Sequence, residues 1–322
     1  MYGLELAGED DVFAAREAAC AATAVDVVGP GLATARGVDT DRLRTLAYTH
    51  RAISLLGRCE ADVSAAQTLV AAADFDRSGS VAVRARDVRS TAGTDTRRAE
   101  RVLGSTLVDR GFAIDLDDPD HELRACFSAD TCLVGWLAAE SVREYGDRRP
   151  TDRPFFQPGS MAPLDARALA NLAGAAPGRT ILDPMCGTGG TLIEAGLAGA
   201  RPVGVDAQRK MVRGAGENLR AYLDDDFVLL RGDATRLPLV DDAVDGVVFD
   251  APYGRQSKIA RHDLSDLVAG ALGEARRVAP RAVVVADRSW AEAAKTEGWT
   301  VDTTFQRRVH ASLTRHVHLL TR

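Results

Sequence analysis

Apolar runs at Thr180–Asp183, Pro202–Asp206, Phe227–Arg231, Gly246–Asp250 and Arg281–Ala286 alternate with helix-patterned segments starting at Gly190, Lys210 and Leu264. Strands that need no polar face and are separated by helices predict a parallel sheet covered on both sides. In such a sheet, ligands sit outside the carboxyl ends of the strands, where the strand order reverses. The chemistry should therefore lie at the last residue of each run, and three runs end in aspartate, at Asp183, Asp206 and Asp250.

Composition sets the outer bounds. A chain of 322 residues with 46% hydrophobic and 27% charged residues is long enough for two or three globular domains and too apolar for wholesale disorder. No apolar run reaches the ~18 residues of a bilayer helix. The first twenty residues carry Glu5, Glu9, Asp10, Asp11, Arg16 and Glu17 where a leader would be apolar. A cytoplasmic protein without a membrane partner is expected. Five cysteines without C-x-x-C suggest neither a disulfide framework nor a zinc site. Of 40 basic residues only Lys210, Lys258 and Lys295 are lysine, and the net charge of −6 excludes an overall basic coat without excluding a local basic face.

The first 145 residues read differently. Tyr2–Leu6 alternates as a strand, and Glu9, Asp10 and Asp11 open an alanine-rich helix. After the turn Gly29-Pro30-Gly31, residues Asp41 to Leu56 are expected to form a helix with Leu43, Leu46 and Ala47 on one face. Further on, Ser80–Arg86 reads as a strand, Asp95–Asp109 as a helix, and Ala113–Leu116 and Glu122–Phe127 as strands. These are two small α+β domains, 1–57 and 58–145. The polar, basic and proline-bearing stretch 146–162 is the expected linker, and 163–322 the final domain.

Strand ends carry the chemistry. The turn Asp183-Pro184-Met185-Cys186-Gly187-Thr188-Gly189-Gly190 lets the backbone approach a ligand at a helix start, and Asp183 suits a cationic amine. It is neither G-x-G-x-x-G nor a P-loop. Cys186 lines this loop and lacks the paired base of a nucleophile. Asp206, about twenty residues on, can accept two ribose hydroxyls. Asp233, followed by Ala234, lies beside the same crevice and suits an adenine amino group, so the ligand is a nucleoside.

The fourth strand end, Asp250-Ala251-Pro252-Tyr253, resembles the [DNS]-P-P-[YF] motif of amino-group methyltransferases that use S-adenosylmethionine. An exocyclic amine is a weak nucleophile because its lone pair is delocalised. Two acceptors at its hydrogens, the Asp250 carboxylate and the Ala251 carbonyl, would turn that lone pair toward an incoming methyl group. Tyr253 can stack on the base. Alanine replaces the usual first proline; its carbonyl is retained, and Pro252 biases it toward extended geometry.

The run Arg153-Pro154-Phe155-Phe156-Gln157-Pro158-Gly159-Ser160-Met161 and its continuation to Leu172 resembles the segment that precedes the methyltransferase fold in archaeal tRNA guanine-N2 methyltransferases acting at position 10. This resemblance implies an α/β, Rossmann-like class I methyltransferase domain preceded by an α+β ferredoxin-like domain and a THUMP domain. It implies transfer of one or two methyl groups to N2 of guanine 10. It also implies that Asp183, Cys186, Gly187, Gly189, Asp206, Asp233 and Ala234 form the cofactor site. Basic residues Arg84, Arg86, Arg97 and Arg98 in the THUMP region, Arg148 and Arg149 in the linker, and Arg255 after the amine motif are the expected tRNA contacts. A monomer is expected, and the need for a small activator subunit stays open. Because the motif reads an amine and not its base, methylation of rRNA guanine or DNA adenine is the alternative, as is an inactive tRNA-binding module. His316 and His318 lack a third ligand, so no metal is expected. His310, Arg307, Arg308 and Arg315 are expected on the solvent face of a terminal strand pair.

Overall fold

Strand order distinguishes the two units, Met1–Val142 and Arg143–Arg322, into which the chain divides. The computed structural model describes residues 1–253, 264–310 and 313–322.

The first unit contains β1 (Tyr2–Leu6), α1 (Asp11–Ala18), β2 (Ala22–Thr23), β3 (Asp26–Gly29), β4 (Leu32–Ala35), β5 (Gly37–Val38), α2 (Thr40–Leu43) and β6 (Thr49–Glu60). It continues with α3 (Val63–Ala72), β7 (Ser80–Asp87), α4 (Thr96–Asp109), β8 (Ala113–Ile114), β9 (His121–Ser128) and β10 (Thr131–Glu140). Aspartates start its helices. Asp10, Asp62 and Asp95 each accept a backbone N–H of the first turn, which satisfies donors the helix cannot.

Eight strands form one sheet in the order β3-β4-β1-β6-β10-β9-β7-β8. The helix expected over Asp41–Leu56 is a single turn, α2, followed by the twelve-residue strand β6. Antiparallel pairing with β1 on one side and β10 on the other outweighs a local helical period, and it buries Ala52 and Ile53. The seam expected between residues 57 and 58 falls inside this strand. Local patterning cannot reveal that β10, from the expected second domain, pairs along nearly all of β6. Helices α3 and α4 cover one face, where Ala66, Val70, Leu103 and Leu107 pack with Val83, Leu123 and Phe127.

The second unit begins with short turns at Tyr145–Arg148 and Pro150–Asp152. The stretch expected as a linker is packed: Arg148, Arg153 and Met161 are buried. Arg148 is drawn inward by its ion pair with Glu194, while Asp147, Arg149, Thr151 and Asp152 stay exposed. There follow α5 (Pro163–Leu172), β11 (Thr180–Asp183), α6 (Gly190–Leu197), β12 (Arg201–Asp206), α7 (Arg209–Tyr222), β13 (Val228–Arg231), β14 (Gly246–Asp250), α8 (Leu264–Val278), β15 (Arg281–Ala286), α9 (Ala291–Thr296), β16 (Thr300–His310) and β17 (Leu313–Thr321). The sheet order is β13-β12-β11-β14-β15-β17-β16, parallel except for β17, which runs antiparallel to both neighbours.

Counting from β11, the strand order steps outward to β13 on one side and restarts at β14 on the other, so the reversal lies between β11 and β14. One face of the sheet packs Val247, Phe249 and Val284 against Val268 and Leu272 of α8. Leu192 and Ile193 of α6 pack with Ala215 and Leu219 of α7. No helix of the described residues is long and apolar enough to cross a membrane.

Candidate active site

Adjacent strands β12, β11 and β14 deliver Asp206, Asp183 and Asp250 to the same edge of the sheet, flanking the reversal. The turn after β11 is shaped by Gly187 and Gly189, with φ of 50° and 77°, a region most side chains avoid. A Cβ at Gly189 would also meet Leu219 at 2.5 Å. The Gly189 N–H donates to Cys186 O at 2.7 Å and the Cys186 N–H to Val205 O at 3.0 Å, so the loop is tied to the neighbouring strand. Cys186 is buried, and burial pushes its thiol well above the ordinary value, which suits packing and not nucleophilic attack.

Asp206 accepts the Gly187 N–H at 3.1 Å and the Gln208 N–H at 2.8 Å. A carboxylate has about four acceptor positions, so two remain for hydroxyl groups. Burial raises its pKa. Asp183 is 3% exposed and receives the Met185 N–H at 3.0 Å. Burial pushes it up to about 8, with Asp206 and Asp250 adding like-charge repulsion. A cationic amine beside it would return it to the charged form. Asp233 holds the following turn through Thr235 N–H at 2.9 Å and Thr235 Oγ1 at 2.8 Å, with buried Ala234 next to it. These donor and acceptor sets fit a nucleoside that bears a charged amino-acid tail.

The segment before the domain is fastened to this loop by a residue the sequence did not single out. Asn218 of α7 donates to Phe155 O at 2.8 Å and Thr188 O at 2.9 Å, and accepts the Phe155 N–H at 2.8 Å. Ser160 and Thr188 share a hydroxyl contact at 3.1 Å. An asparagine on the inward face of an otherwise amphipathic helix was the available signal.

At the end of β14, Ala251 is buried and its N–H donates to Val285 O at 2.8 Å, which keeps the motif in line with the sheet. The Tyr253 hydroxyl donates to Asp250 Oδ1 at 2.7 Å. Tyr253, expected as a stacking surface, is thus tied at its hydroxyl, which also accepts from Arg315 Nε at 3.1 Å. Burial pushes Asp250 up to about 6, while Arg315 and the tyrosine hydroxyl pull it down. Burial beside Asp250 raises the Tyr253 phenol.

Arg315 corrects an expectation. It is 7% exposed and not on a solvent face, because it shares one side of β17 with buried Val317 and Leu319. That two-residue parity was legible in the sequence. Its guanidinium lies 3.9 Å from Asp250 and 3.8 Å from Asp165 of α5, and Arg307 reaches Asp165 at 3.2 Å. Arg308 is exposed as expected. His318 is committed to the Trp290 N–H at 3.1 Å and to Thr304 Oγ1 at 3.0 Å. Among the described residues no group of three His, Cys, Asp or Glu side chains gathers as metal ligands would.

The expected RNA contacts separate into two kinds. Arg97, Arg98 and Arg149 are exposed. Arg84 donates to Leu116 O at 2.7 Å, and Arg86 pairs with buried Glu5 at 2.6 Å. Arg148 is buried and bound to Glu194 at 2.9 Å, which removes it from the RNA-contacting set: an internal carboxylate 46 residues away claims its charge. Arg255 lies outside the described residues.

Known proteins resemble this arrangement. The UPF0020 family model, described as an RMKL-like methyltransferase domain, matches residues 150–316. The tRNA (guanine(10)-N2)-dimethyltransferase of Methanothermobacter thermautotrophicus is 37% identical over 294 residues, 87% of this chain and 84% of that protein. The protein of the same name from Pyrococcus abyssi is 32% identical over 250 residues, 75% of this chain and 74% of its own length. The crystal structure of TrmN from Thermus thermophilus matches over 100% of both chains with a TM-score of 0.51 and 20% identity, a likeness of fold. The parallel α/β sheet expected from the strand pattern and the class I methyltransferase fold implied by the resemblance are what is found.

Proposed function

Since the chain belongs to the tRNA (guanine(10)-N2)-dimethyltransferase family, we propose that it transfers one or two methyl groups from S-adenosylmethionine to the exocyclic N2 of guanine 10 in tRNA. The observation that carries this reading is that β14, ending at Asp250, lies next to β11, whose end opens the Asp183 loop, so that a target amine taken by Asp250 would sit beside that loop. Bound in that loop, the cofactor supplies an electrophilic methyl group on a sulfonium. Asp183 would hold its amine, Asp206 its ribose and Asp233 its adenine, and the glycines at 187 and 189 would let the backbone come close.

The remaining work belongs to the chain. The Asp250 carboxylate and the Ala251 carbonyl each accept a hydrogen of the target amine, which favours a pyramidal nitrogen with its lone pair exposed. Guanine 10 must leave its stack to reach them, at a cost of a few kcal/mol. Phosphate contacts offset that cost, and we assign them to Arg97 and Arg98 in the first unit and Arg149 in the second. Residues 1–142 are read as the ferredoxin-like and THUMP parts, supplying tRNA affinity. The enzyme is read as a cytoplasmic monomer.

The test uses purified full-length chain, methyl-labelled cofactor and an unmodified tRNA transcript, followed by nucleoside mass spectrometry and mapping. Label on guanine 10 is expected, and a tRNA carrying inosine there, which lacks the N2 amine, should accept none. Label on an adenine N6, or equal labelling of the inosine transcript, would refute the assignment.

A further inference from the structure

Arginines in the second unit are held in two ways. Arg148 and Arg167 each grip Glu194 at 2.9 Å, as buried ion pairs that serve the scaffold do. Among the described residues Arg315, equally buried, has no carboxylate that close: Asp165 and Asp250 stand at 3.8 and 3.9 Å, and the Tyr253 hydroxyl lies at 3.1 Å. A cation at that range stabilises the charged form of a carboxylate without consuming its acceptor positions. It leaves Asp250 Oδ2 to a ligand, while Oδ1 meets the tyrosine hydroxyl.

We propose that Arg315 is a positioning residue of the amine site: from β17 it keeps Asp250 in its charged, accepting form and steers the Tyr253 ring through its hydroxyl, while Asp165 on α5 competes for its charge. This inference rests on the reading that Asp250 takes the target amine. The groups facing Asp250 favour the role. Tyr253 follows it on its own strand end, Asp287 approaches from the end of β15 and Asp183 from the end of β11; Asp165 lies behind Arg315, and Arg307 of β16 reaches Asp165. Arg315 is the cation among these that reaches Asp250 directly. Without it, burial and the Asp287 carboxylate would both push the proton onto Asp250, and a protonated carboxyl accepts an amine hydrogen poorly.

Two substitutions pull in opposite directions. In Arg315→Gln the Asp250 pKa should rise by roughly one unit or more. In Asp165→Asn, with a competing negative charge removed, it should fall. Carboxyl-carbon NMR titration of the ligand-free full chain, with Asp250 assigned by loss of its signal in Asp250→Asn, reads this independently of activity. Single-turnover methyl transfer to tRNA should follow: the acid limb moves to higher pH in Arg315→Gln, with a loss of about twofold or more at pH 7 that recovers by pH 9. Arg315→Lys should restore the limb. S-adenosylhomocysteine affinity should change less than about twofold, because the cofactor contacts are elsewhere. Unshifted titrations, shifts of the same sign in both variants, or a loss equal at every pH would overturn the role. If Arg315→Gln does not fold, the direction of the Asp165→Asn shift decides. A wild-type chain that titrates as described yet transfers no methyl to tRNA would sink the functional reading and leave only the charge coupling between Arg315 and Asp250 standing.

Discussion

Buried carboxylates in the two units meet opposite surroundings. In the first unit Glu17, fully buried, accepts the backbone N–H of Ala47 at 2.7 Å and of Tyr48 at 2.6 Å. Glu5, 3% exposed, is ringed by Arg51, Arg86 and Arg124. In the second unit Asp183 is as buried as Glu5 yet meets one backbone donor, and burial pushes it up to about 8; Asp250 is pushed up to about 6. A buried acid whose oxygens are satisfied belongs to the scaffold. One left short of partners keeps capacity for a ligand, at the expense of stability. Glu194, held by Arg148 and Arg167, shows that the second unit also contains the first kind.

The largest effect expected from this contrast is at Asp250. Asp250→Asn replaces one acceptor oxygen with a donor, and single-turnover methyl transfer should fall by about 100- to 1000-fold, as when a preorganised electrostatic contact is lost. Its Tm should stay level or rise, since a poorly solvated acid has been removed. A large fall in Tm with the rate per folded molecule preserved would place Asp250 with the scaffold and break the comparison.

Glu17→Gln should do the reverse. One of the two backbone donors then faces an amide NH2, and the cost is about 2–4 kcal/mol, read as a lower denaturation midpoint. Methyl transfer per folded molecule should not change. A rate loss beyond threefold would mean that the buried acids of the first unit also serve the reaction.

How much of this was legible follows from the range of the interactions. The strands ending at Asp183, Asp206 and Asp250 could be read because buried parallel strands are apolar throughout and their ligands lie just beyond them. The amine motif and cofactor loop are contiguous, so their chemistry was local. By contrast, β6 looked helical because its defining partner is β10, some eighty residues away. Arg148 looked like a surface charge because Glu194 is distant in sequence. Arg315 and Asp165 were missed because their meeting at Asp250 joins a terminal strand, a helix ahead of the sheet and the middle of the sheet. Parity along β17 could have placed Arg315 inward where a solvent face was expected, but no residue pattern names the group it faces.

The finest test of the contrast is pH-dependent stability at Asp183. With its native pKa raised to about 8 and an unfolded value near 3.9, the folded chain keeps a proton that the unfolded chain has released between those limits. The native state therefore binds more protons, and this group's contribution falls as pH rises from about 4, with the loss complete above about 8. Asn keeps the oxygen that accepts the Met185 N–H and has no proton to lose. Asp183→Asn should accordingly raise the Tm of the ligand-free chain by roughly 3–6 °C at pH 8.5 and by much less at pH 5. S-adenosylhomocysteine, whose amine would face this carboxylate, should stabilise the wild type more than the variant at pH 8.5, because only the wild type has a strained charge to neutralise. An equal gain at both pH values would mean that Asp183 is relieved by groups of the fold itself, and the line between scaffold acids and ligand acids would have to be drawn at Asp250 alone.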